Sequence, residues 1–189
     1  MRSGKMRAIL VIAGLVLALA LCGCAPPSAS LLDYQEGERR VRLVGQMNGV
    51  EFSAVLWLGE LPEGDLPRSF ELVMESPESL GGITFRRGGE GDSIVAELDG
   101  VEVELSGGVS VAAIVDAFSV CEEPRAISSV RGADVGAVQS ERLTKLEFES
   151  LTVYVDAKIG LPVKMESSTT AGESSENVFS FFVEPLDAS

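Results

Sequence analysis

The sequence predicts a mainly β, α+β fold: an antiparallel sheet of about ten strands with one or two short helices. Three observations carry that expectation. From Glu38 onward apolar residues recur with period two, as in strands that bury one face. Asn48-Gly49 and Asp99-Gly100 lie between such runs, and both dipeptides supply the left-handed residues of a tight hairpin. Only Val111, Ile114, Val115 and Phe118 follow a clear helical spacing. Consecutive hairpins imply antiparallel order, since parallel pairing needs long crossovers. A sheet of that size with so little helix must curl on itself or cover the helix.

The elements follow in order. Leu31 to Tyr34 is one turn of helix or an edge. Val41 and Leu43 alternate with arginines, Asn48-Gly49 turns the chain, and Glu51 to Leu58 returns with Phe52, Ala54 and Leu56 on one face and Val55 and Trp57 on the other. Gly59 to Pro67 is a loop. Ser69 to Glu75 is a strand with Phe70, Leu72 and Met74 inward, and Ser76-Pro77-Glu78 reads as an N-cap with proline at N1, hence a brief helical turn. Ile83 to Phe85 starts a strand that ends in the glycine-rich 88–92 segment. Ser93 to Leu98 and Val101 to Leu105 form the second hairpin. Ser110 to about Val120 is the amphipathic helix, short enough to need a sheet to lie on. Arg125 to Gln139 is a strand and turn. Leu143 to Phe148, Leu151 to Ala157 and Leu161 to Ser167 are strands, the last with Leu161, Val163 and Met165 on one face. Ser168 to Asn177 is a polar loop, and Val178 to Val183 closes the domain.

The opening segment has a different logic. Arg2, Lys5 and Arg7 precede an uncharged run of 14 residues, Ala8 to Leu21, which suits a signal-peptide core better than a membrane span. It ends in Leu21-Cys22-Gly23-Cys24, which resembles the bacterial lipobox. The resemblance implies cleavage before Cys24 and a diacylglyceryl group on that cysteine; Cys22 fits worse, because Leu21 would fill the small-residue position beside the cut. The expected organisation is a signal peptide over 1–23, a spacer over 24–30 and one β domain over 31–189. Location is then extracytoplasmic, held by lipid at the outer face of the cell membrane, or at the outer membrane in an organism that has one.

Composition excludes several function classes. The chain carries 15 basic and 29 acidic residues, and removing the three leader cations leaves 12 against 29, or −17. A domain this acidic repels nucleic acid and anionic headgroups, so the anchor rather than a basic patch must hold it at the membrane. There is no histidine, which removes His-based catalysis and most zinc sites. With Cys22 removed and Cys24 lipidated, Cys121 has no disulfide partner and reads as a small buried hydrophobe. No phosphate-binding or nucleophile-elbow motif is present; neither a catalytic residue, a metal site nor a cofactor is expected.

Carboxylate pairs Glu102/Glu104 and Glu147/Glu149 read as solvent faces of strands whose alternate residues, Val101, Val103, Leu146 and Phe148, lie inside. Glu90, Asp92, Glu97 and Asp99 lack the spacing of a calcium loop. Arg39-Arg40, Arg86-Arg87 and Lys164 read as cross-strand charge partners. Trp57, Val55 and Phe182 fall off the inward faces, so they belong either to packing or to an apolar cavity between sheet and helix.

Two segments carry a family likeness. Phe70-Glu-Leu-Val-Met-Glu-Ser-Pro-Glu-Ser-Leu-Gly-Gly-Ile83 and Leu151-Thr-Val-Tyr-Val-Asp-Ala-Lys-Ile-Gly-Leu-Pro-Val-Lys-Met165 resemble the early turn and late hairpin of LolA/LolB-like lipoprotein-localisation carriers, in particular clostridial-type members. The resemblance implies a strongly curved antiparallel sheet, an unclosed β-barrel covered by one or two short helices, with an apolar cavity for acyl chains. On that basis the chain is expected to be no enzyme. It would bind an acyl chain or a lipidated partner in the concave face of its sheet, in envelope or spore-related assembly. The lining would be Phe52, Leu56, Phe70, Leu72, Ile94, Leu98, Val153, Val155, Phe179 and Phe181, with the 111–118 helix as lid. The alternative is a protein-interaction module with a self-filled core, forming a homodimer or docking on an envelope protein through its edge strands.

Overall fold

A computed structural model of the chain describes residues 33–62, 67–87, 93–105, 110–120, 123–156, 158–167 and 179–186. The leader, Cys24, the spacer, Cys121, the 88–92 segment and the 168–177 loop lie outside the described residues. The described part belongs to one compact unit, Leu31–Ser189.

Eleven strands form a single antiparallel sheet: β1 Arg39–Met47, β2 Val50–Leu58, β3 Phe70–Ser76, β4 Thr84–Arg87, β5 Ile94–Leu98, β6 Val101–Leu105, β7 Ala126–Arg131, β8 Arg142–Glu147, β9 Leu151–Asp156, β10 Leu161–Ser167 and β11 Phe179–Pro185. Among the described residues there is one α-helix, α1 (Ser110–Ala117), between β6 and β7 in the chain. The strand order is β6-β5-β4-β3-β2-β1-β11-β10-β9-β8-β7. Two consecutive meanders are thus joined through β1 and β11. The sheet is curved and unclosed, with β6 and β7 as its two edges.

Both hairpins form where the turn chemistry requires them. Asn48 and Gly49 have φ 51 and 78, and Asp99 and Gly100 have φ 52 and 80. Left-handed backbone at both central residues is the type I′ turn, whose twist matches that of the strands it joins.

Three local expectations change. Ser76 ends β3 and is followed by a cis Ser76–Pro77 bond and hydrogen-bonded turns through Gly82, not by a helical turn. The register of β10 slips between Pro162 and Lys164, so Pro162 opposes Val155, Met165 opposes Val153, and Val163 is the extra residue of a bulge. Val101 and Val103 lie on the inner face but are 65% and 54% exposed, because the core stops short of the β5–β6 hairpin.

Cross-strand pairing lines up the inner face. Val41, Leu56, Leu72, Phe85, Ala96 and Val103 oppose one another in one row across β1 to β6. From the other meander Leu146, Val153, Met165 and Phe181 form a second row on the same face, which meets β1 at Gly45 opposite Phe52. Helix α1 buries Val111, Ile114, Val115 and Phe118 against this face. That amphipathic stripe is why an 8-residue helix persists.

Candidate functional site

Two side chains decide how the centre of the inner face is filled. Gly45 opposes Phe52 on one side and Phe181 on the other, its missing Cβ lets the β11 backbone approach closely, and the two rings meet edge to face at 6.3 Å. Phe181 then stacks on Phe179 at 5.3 Å and on Phe118, the residue after α1, at 6.2 Å. Nine of the ten residues expected to line a cavity, Phe52, Leu56, Phe70, Leu72, Ile94, Val153, Val155, Phe179 and Phe181, lie at 6% exposure or less in one continuous core. The tenth, Leu98, is 45% exposed at the hairpin rim. There it opposes Val101, and with Val103 these residues extend the inner face beyond the cover of α1 as an open apolar strip. On the opposite edge Ile127 of β7, opposite Leu146, is also exposed.

The C-terminal end of α1 is held by polar groups. Arg68, 3% exposed, donates to the carbonyls of Gly37 at 2.6 Å, Gly59 at 2.7 Å and Phe118 at 3.3 Å. Burial, and then the nearby Arg39 charge, hold its guanidinium below its ordinary pKa. Gln35 donates to Val120 O at 2.6 Å. These bonds satisfy carbonyls just beyond the helix that have no intrahelical donor.

A second arginine is buried under the helix. Arg87 opposes Phe70, with its guanidinium 5.4 Å from that ring and its Nη1 3.6 Å from Asp116 Oδ1. Its Nε is buried with no hydrogen-bond partner. The expectation of a cross-strand charge pair holds for Arg86, which meets Glu97 and Glu102 on the outer face, and fails for Arg87. Period two contained the signal, since Arg87 shares the parity of inward Phe85. Arg68 had no such signal because it sits in a loop.

The outer face carries two further features. Arg40, Val55, Trp57, Glu71, Val73 and Glu75 line a groove of about 370 Å³. Trp57 therefore sits outside the sheet, away from α1, and does not line a space beneath the helix. Across β9 to β11, Lys164 packs between the rings of Tyr154 and Phe182, 5.8 and 5.3 Å from their centroids, and pairs with Glu166 at 2.7 Å. Tyr154 donates its hydroxyl to Glu166 at 3.0 Å. Burial pushes the Glu166 carboxyl up, but its bonds from Lys164, Tyr154 and Ser180 leave it below its ordinary value. Burial and then the Glu166 carboxylate push Tyr154 up to about 12. The turn at Gly136 covers Phe182, so this cluster is packed surface.

Among the described residues no three His, Cys, Asp or Glu side chains group as metal ligands. No helix among them is long and apolar enough to cross a membrane.

No family model matches the sequence, and no curated protein matches it. Solved structures do resemble it. A domain described as an outer membrane lipoprotein-sorting protein from Vibrio parahaemolyticus is 13% identical, with TM-score 0.42, covering 84% of this chain and 88% of that one. A LolA superfamily protein from Nitrosomonas europaea is 12% identical, with TM-score 0.38, covering 86% of this chain and 94% of its own. A DUF1329 family protein from Desulfovibrio piger is 12% identical, with TM-score 0.34, covering 85% and 91%.

Proposed function

We propose that the chain is a non-enzymatic lipoprotein, anchored outside the cytoplasmic membrane through Cys24, whose inner sheet face receives an acyl chain or a lipidated partner during envelope assembly. One observation carries the ligand reading. The apolar inner face continues past the packed core as Leu98, Val101 and Val103, exposed by 45%, 65% and 54%. Water contact with that strip is unfavourable by roughly 25 cal/mol per Å², which an acyl chain laid along it removes. Displacing short α1 would extend the same surface inward. The lipobox-like Leu21-Cys22-Gly23-Cys24 supports the anchor.

Native mass spectrometry of the full chain purified from membranes tests the ligand. A co-purifying lipid that resists buffer exchange supports it, and a clean unliganded mass refutes it. Loss of membrane association and of lipid label in Cys24→Ser tests the anchor; unchanged fractionation and labelling would refute it.

A second reading has its own support. Phe118, Phe179 and Phe181 fill the interior, and edges β6 and β7 are open to strand addition. A concentration-dependent dimer with no lipid would establish that reading instead.

A further inference from the structure

The two buried arginines differ in how they are used. Arg68 spends its donors on three backbone carbonyls, which accounts for its burial. Arg87 has a side chain only 5% exposed, a buried Nε without an acceptor and, among the described residues, an ion pair at 3.6 Å with Asp116, whose own side chain is 65% exposed. A buried guanidinium with an unmet donor is unfavourable, and a residue needed only for filling would be apolar. Its place is specific. Arg87 shares its face with Phe85, two residues away, and the row through Phe85 and Ala96 leads to exposed Val103. The Leu98–Val101 pair lies one further step along, at about 7 Å per two residues of strand.

Given an acyl chain on that strip, we propose that Arg87 makes the site selective for a single-chain amphiphile bearing an ionised carboxylate. The headgroup replaces Asp116 against the guanidinium while the tail lies along Phe85, Val103 and Leu98. The planar guanidinium accepts a carboxylate through two parallel N–H···O bonds, one of them from the unused Nε. Exchange of one carboxylate for another keeps a counter-charge beside Arg87 throughout, so α1 swings away without stranding a buried cation.

The test is calorimetric titration of the full chain with dodecanoate, dodecan-1-ol and acetate. Dodecanoate should bind about ten- to a hundredfold more tightly than dodecan-1-ol, the range expected for hydrogen bonds to a charged group. Acetate should not compete. Arg87→Met should bring the two amphiphiles to equal affinity, and Asp116→Asn should tighten dodecanoate alone. Equal affinity of the wild-type chain for acid and alcohol overturns the role of Arg87 and leaves the acyl site standing. Competition by acetate at concentrations like those of dodecanoate makes it a bare anion site and also overturns it. Binding of neither amphiphile removes the acyl site and this inference together. The acid–alcohol comparison needs no variant, so a misfolded Arg87→Met does not remove the test.

Discussion

Phe118 at the end of α1 stacks on Phe181 of β11 with centroids 6.2 Å apart and planes inclined by 19°. It is the contact through which the helix plugs the curved sheet, and Phe118 is 1% exposed. Phe118→Ala should lower unfolding free energy by about 3–5 kcal/mol, measured by urea denaturation. A loss below about 1 kcal/mol would show that the helix is not seated by this ring.

Gly45 should tolerate no side chain. A Cβ there would overlap Ser180 O and Phe181 Cα, which are backbone atoms that cannot rotate away. Gly45→Ala should cost roughly 1–3 kcal/mol or more, while Gly49→Ala strains only a hairpin turn. Comparing their denaturation midpoints separates a steric seam from a conformational one.

Arg68→Met should destabilise by roughly 3 kcal/mol, because it leaves the carbonyls of Gly37, Gly59 and Phe118 without their donor. Hydrogen exchange should rise first in α1, whose end Arg68 holds. Uniform acceleration across the sheet would contradict that placement.

The only two tyrosines, Tyr34 and Tyr154, are both pushed up from 10.0 to about 12, with burial the largest cause in each. The unfolded chain therefore loses these protons first. Their stabilising contribution is complete below pH 10 and is lost as pH rises from 10 towards 12. Phenolate absorbance should appear together with unfolding; titration of both tyrosines near pH 10 in the folded chain would sink this.

Charge on the open strip should act differently from charge in the core. Val103→Glu, at a residue 54% exposed, should change stability by less than about 0.5 kcal/mol and weaken amphiphile binding at least about tenfold. Leu56→Glu, at 0% exposure, should unfold the domain. Native-like binding by Val103→Glu would place the ligand elsewhere.

Hairpins were the most legible part of the sequence because Asn48-Gly49 and Asp99-Gly100 announce their own backbone angles. Alternation put Phe52, Leu56, Phe70 and Leu72 on the inner face correctly, since a one-residue slip would turn every one outward. Depth along the sheet was not legible. Val103 and Leu72 alternate in the same way, yet only Leu72 lies where the helix and the second meander cover it. The β10 bulge was hidden too: Leu161, Val163 and Met165 alternate perfectly, and only pairing with β9 shows that Pro162 takes the inward place.

The junction of β1 with β11 has a kinetic consequence. Val41 meets Pro185 across 144 residues of chain, and Met47 meets Phe179 in the same ladder. The first meander can zip by local hairpins while the chain is being made, but its β1 edge has nowhere to pair until the last strand exists. That edge is a bare ladder of donors and acceptors for the whole of synthesis. Closing the seam is a long-loop event, slow beside hairpin formation. The ladder between β1 and β11 is therefore the last part of the sheet to become protected.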